Sequence, residues 1–132
     1  MSTEQNAVVV FLQVYSGRPD PSWTLDDSGV QDVVGRVRQA QSAPADGKPP
    51  EPVLGYRGFR VENRAGVPDL PAALTVWRGF VIGADRGGRT QTWSDVGDLE
   101  GWLLADARRR DHGELLEAAG APTPQEPRPQ SG

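Results

Sequence analysis

The chain has no cysteine, one histidine, one methionine and, at Lys48, a single lysine among its 132 residues. Without cysteine there is no disulfide scaffold, no thiolate nucleophile, no iron–sulfur cluster and no cysteine-type zinc site. The lone His112 has no second imidazole with which to hold a metal and no evident nucleophile at sequence range to serve as a base. A phosphate-binding glycine loop, a dinucleotide fingerprint, a nucleophile elbow and a zincin motif are all missing, so phosphoryl transfer, hydride transfer and triad hydrolysis have no motif behind them. We therefore expect no cofactor and no metal.

Excess positive charge is also lacking. The formal net charge is −4 and the pI near 4.9, which gives no global field to draw phosphate backbones or anionic lipid; neither nucleic acid nor membrane is an expected partner, although a local basic patch stays open. The apolar stretch Ala7 to Val14 is too short to span a bilayer. The first residues, Met1 to Asn6, are polar and carry an acid where a signal peptide would be basic, which predicts a cytoplasmic protein.

What is present suits one domain over residues 1–120, since domains of about 100 to 150 residues hold a single core. Hydrophobic residues make up 36% of the chain, while 16 glycines and 12 prolines demand many turns. Ala7 to Tyr15 is β-branched and aromatic with apolar residues on both alternating faces, as in a central strand covered on both sides. It stops at Ser16-Gly-Arg-Pro-Asp-Pro21, where two prolines end ladder pairing. From Thr24 the period changes: Val30, Val33, Val34, Val37 and Ala40 share one helical face, behind the acids Asp26 and Asp27. Residues 43–52 read as a proline-rich surface loop.

Strands are then predicted over Val53 to Asn63, Ala73 to Ala84 and, after the turn signal Asp85-Arg-Gly-Gly88, Arg89 to Trp93. Ser94-Asp95 caps a second helix whose apolar stripe is Val96, Leu99, Trp102, Leu103, Leu104 and Ala107, with Arg108, Arg109 and Arg110 as a solvated basic end and His112 near its C-cap. Glu114 to Ala119 is a short amphipathic turn closed by Gly120. The tail, residues 121–132, has too little apolar surface to fold and is expected to be disordered. The order β-α-β-β-β-α builds an α+β fold, a small mostly antiparallel sheet of about four strands with two helices packed on one face. It approaches a ferredoxin-like sandwich without matching it.

Two patterns are candidates for a site. The string aromatic-Arg-Gly-Phe occurs twice, as Tyr56-Arg57-Gly58-Phe59 and as Trp77-Arg78-Gly79-Phe80. In unbroken strands Arg57 and Phe59 would share a face with Arg78 and Phe80, leaving Tyr56 and Trp77 to wall a trough over the glycines on the other face. Such a trough suits an aromatic or carboxylate small molecule, a partner side chain, or a helix of the protein itself. Arg57 and Arg78 either clamp an anion or pair with acids such as Asp69 or Asp85. The second pattern is the loop Tyr15 to Trp23, where Arg18, Asp20 and Trp23 set a charged pair beside an aromatic wall, or else form a turn with Asp20 on backbone amides and Trp23 in the core.

These features predict a non-catalytic binding or accessory protein, of the kind that helps a biosynthetic enzyme or neutralises a toxin, engaging a protein partner or forming a homodimer through the exposed sheet face. The alternative is a small cofactor-independent enzyme, an isomerase, cyclase or oxygenase, acting on an aromatic metabolite held by Tyr56, Trp77 and Trp23.

Overall fold

A computed structural model describes residues 7–14, 20–45, 47 and 56–121. The proline-rich loop beyond residue 47, Arg18 and the tail after Ala121 lie outside them. The chain forms β1 (Val8–Val14), β2 (Ser22–Thr24), α1 (Asp27–Gln41), β3 (Tyr56–Asn63), β4 (Ala73–Trp77), β5 (Phe80–Ala84), β6 (Thr90–Ser94), α2 (Leu99–Arg109) and α3 (Gly113–Ala119). All six strands join one antiparallel sheet in the order β2-β1-β3-β4-β5-β6.

The register sorts the strand residues into two faces. One row across the sheet is Trp23, Val10, Val61, Leu74 and Gly83, and the next is Leu12, Phe59, Val76, Val81 and Trp93. These residues are buried, while Gln91, which continues the first row on β6, is exposed; α1 and α2 pack over the rows with Val33, Val37, Leu99, Leu103 and Ala107. Complete burial of a valine or leucine side chain stabilises by roughly 1.5 to 3 kcal/mol, so these rows carry most of the fold. The opposite face carries Ser22, Phe11, Arg60, Thr75, Ile82 and Thr92 in one row and Thr24, Val9, Glu62, Ala73, Ala84 and Thr90 in the other. No described helix covers it.

Helices α1 and α2 start where side chains can satisfy free amides. Asp26 caps α1 by accepting from the amide of Gly29 at 2.8 Å. At α2, Asp98 accepts from Gly101 at 3.2 Å, while Asp95 takes the amides of Leu99 and Glu100 at 2.6 and 2.8 Å. The Arg36 guanidinium donates to the Gly97 carbonyl and so ties α1 to the entry of α2. Gly120, in the left-handed region at φ 82°, closes α3, a position that favours a residue without Cβ.

The antiparallel α+β reading holds, and its details change in four places. The expected strand Ala73 to Ala84 is a hairpin, because Arg78 and Gly79 both take positive φ (46° and 87°) and reverse the chain in two residues; positive φ at both central positions is the I′ turn that matches strand twist. A three-residue strand, β2, flanks β1. Residues 113–119 form a true helix. Val96, assigned to the apolar stripe of α2, precedes that helix and is 59% exposed.

The first copy of the repeated string departs from regular pairing as well. Val14 faces Tyr56 and Leu12 faces Phe59, so Arg57 and Gly58 together stand opposite Gln13 in a β-bulge, with Gly58 at φ 84°. The extra residue shifts the alternation by one. Tyr56 consequently shares the helix-covered side with Phe59, and their rings meet edge to face at 6.0 Å. A Cβ at position 58 would sit 2.1 Å from the Val76 carbonyl oxygen, so only glycine lets β3 approach β4 there.

Candidate functional site

The bulge and the hairpin turn bring the two repeated strings together. The rings of Tyr56 and Trp77 lie 5.8 Å apart, and both residues are buried. From Tyr56 the aromatic contacts continue to Phe59 and, 6.5 Å further, to Trp23. Tyr56, Trp77 and Trp23 thus belong to one line of packed rings, with Phe59 filling the space between Tyr56 and Trp23. Arg78 is exposed and folds back over the Trp77 ring at 4.9 Å. Arg57 is half-buried on the bulge. The acids weighed as their partners are engaged elsewhere: Asp69 with Arg38 at 2.6 Å, and Asp85 with the backbone amide of Arg89 at 2.9 Å.

Two acids on α2 hold this line of rings. Glu100, 9% exposed, accepts from the Tyr56 hydroxyl at 2.5 Å through Oε2 and from the Gly79 amide at 3.3 Å through Oε1. Burial, reinforced by the adjacent Glu100 carboxylate, pushes the Tyr56 phenol far above the ordinary tyrosine range, so it remains a proton donor. Asp106, 1% exposed, accepts from the Trp23 indole at 2.9 Å and from Arg110 at 3.2 Å, and pairs with Arg109. His112 does not stand free at the helix end; its imidazole stacks on Trp23 at 5.3 Å, and Arg110 lies 5.6 Å from the same indole. Asp20 accepts from the Val14 amide at 3.2 Å, which fastens the loop end to β1.

Sequence reasoning passed over Glu100 and Asp106. A signal was present: Glu100 precedes Leu103, Leu104 and Ala107 at the spacing of a single helix face, so a carboxylate stands in an apolar stripe and requires a buried partner.

On the helix-free face, Glu62 lies between two guanidiniums, with Arg60 at 3.0 Å and Arg64 at 2.6 Å. Partial burial raises the Glu62 carboxyl, but hydrogen bonds from Arg64 and Arg60 outweigh it and hold the group below its usual value. Arg64 also covers the half-buried Phe11 ring at 5.7 Å. Ile82 and Phe80 on β5 are partly exposed on the same face, with β4 between them and this ladder. Apart from this face, the hollows among the described residues include two with distinct linings. One of about 660 Å³ lies between the end of α1, the β3–β4 connection and the β5–β6 hairpin. The other, of about 370 Å³, lies between the start of α1 and the end of α2.

Among the described residues no helix is long and apolar enough to cross a membrane, and no group of three or more His, Asp or Glu side chains is arranged to hold a metal ion. No protein-family model, curated protein or solved structure matches this chain.

Proposed function

We propose that this is a non-catalytic binding domain that docks another polypeptide flat against the helix-free face of its sheet. The observation that supports this reading is a set of partly exposed apolar side chains on either side of the Arg60-Glu62-Arg64 ladder, Phe11 next to it on β1 and Ile82 and Phe80 across β4 on β5, on a face that no described helix covers. Apolar groups framed by guanidiniums are the usual makeup of protein interfaces, in which aromatic residues and arginine are enriched. The enzymatic alternative, an aromatic metabolite between Tyr56, Trp77 and Trp23, draws no support from the geometry, because those rings pack against one another and against Phe59.

The test places photoreactive benzoylphenylalanine at position 82, with position 31 on the exposed side of α1 as control, in cells of the native host. A polypeptide that cross-links from 82 and not from 31, and whose purified form binds about tenfold more weakly to an Ile82→Glu variant, is the expected result; tenfold corresponds to about 1.4 kcal/mol. Equal labelling from both positions, or none from 82, would overturn the reading.

A further inference from the structure

The hollow of about 660 Å³ has its own construction, independent of the open face. Its floor is Trp93, which lies across the backbone of β5 at Gly83. A Cβ on Gly83 would fall 2.7 and 2.8 Å from the indole and 3.1 Å from the Pro71 ring. Glycine in a strand interior commonly marks such a close approach. With no side chain at 83, the indole lies low on the sheet, and an open space remains above it, bounded by Leu70 and Pro71 on one side and by Thr90 and Gln91 on the other. The volume falls within the range of about 300 to 1,000 Å³ typical of small-molecule sites.

The charges around this space are unevenly committed. Arg38 is paired with Asp69 at 2.6 Å, and Asp85 accepts from the neutral backbone amide of Arg89, which spends one of its lone pairs and leaves its charge in place. The exposed guanidinium of Arg89 has no hydrogen bond or ion pair among the described residues. The rim thus offers one planar cation with free donors, with Gln91 beside it, above a floor of Trp93, Leu70 and Pro71. A guanidinium matches a carboxylate in bidentate geometry, and an aromatic and proline floor accepts a flat apolar body.

The geometry points to a binding site for a small carboxylate with a ring-sized apolar body, its anionic group on Arg89 and its ring over Trp93. The site stands apart from the open sheet face, so its failure would leave the proposed docking function untouched.

Phenylacetate is the probe, with phenethylamine and benzyl alcohol as its cationic and neutral counterparts. In a ¹H–¹⁵N NMR titration of the full chain, phenylacetate is expected to shift the amides of Ala84, Thr90 and Gln91 and the Trp93 indole N–H, and the two counterparts are not. Arg89→Gln should weaken binding about tenfold, as expected for loss of a charge-assisted bond, whereas Arg86→Gln, in the same hairpin but outside the hollow, should leave it unchanged. Both substitutions are on exposed turn residues, so folded protein is expected in each case, and the spectra report it directly. Absence of shifts with phenylacetate at millimolar concentration, equal shifts with all three probes, or unchanged affinity in Arg89→Gln would overturn the assignment.

Discussion

The hydrogen bond between Tyr56 and Glu100 joins a strand to a helix across the core, and both partners are buried. Replacing Tyr56 with Phe keeps the ring and removes the donor, leaving a buried carboxylate oxygen unsatisfied. We expect Tyr56→Phe to lower unfolding free energy by about 2 to 3 kcal/mol in urea denaturation. The same bond has a pH signature. Because the folded-state pKa is raised, its contribution is complete below the ordinary tyrosine value near 10 and declines as pH rises beyond it, where the unfolded chain gives up a proton that the folded chain retains. Between about pH 10 and 11, wild-type stability should therefore fall more steeply than that of Tyr56→Phe, with Tyr15 and Lys48 common to both.

The two glycines of the repeated string have nearly the same φ, 84° and 87°, and opposite surroundings at the level of the element. Gly58 stands against the carbonyl of Val76, whereas a Cβ on Gly79 would meet nothing within 4 Å. Gly79→Ala should lose only the left-handed penalty of about 1 to 2 kcal/mol. Gly58→Ala adds a backbone collision and should lose at least about 2 kcal/mol more, by the same denaturation measurement. At the start of α2 the stronger anchor is the half-buried Asp95, with two short amide bonds, rather than the formal cap Asp98, which is exposed and itself at φ 56°. Asp95→Ala should destabilise by about 1 to 2 kcal/mol, while Asp98→Gly, which relieves φ as it removes one weak bond, should stay within about 0.5 kcal/mol in thermal or urea melts.

Taken as a whole molecule, the fold was legible wherever period and burial agree. The stripe from Val30 to Ala40 gave α1, and the apolar run from Ala7 gave the central strand, because one repeated spacing there coincides with one buried face. Legibility failed where a single residue changes the phase. Gly58 inserts one position and moves Tyr56 to the other face; Arg78-Gly79 reverses the chain within a string that reads as continuous strand. Neither Arg-Gly pair is the Asn-Gly or Asp-Gly signal that marks a two-residue turn in sequence. The three residues of β2 are too few to show any period. The doubly apolar first strand suggested cover on both sides; the structure places Val8, Val10 and Leu12 under the helices, and on the face that no described helix covers it leaves Val9 buried at 1% exposure and Phe11 partly exposed beneath Arg64.

The two margins of the sheet are finished differently. On one side β2 is only three residues long. On the other, residues 43–45 run along β6, where Ser94 donates to the Ala43 carbonyl, Ala45 donates to the Thr92 carbonyl, and Pro44, with no amide hydrogen to offer, forms the bridge opposite Trp93. A further strand finds little to grip at either margin. Concentrated solutions of this protein should accordingly resist growth into fibres by strand addition, and whatever crowding drives together should stack broadside, as separable plates.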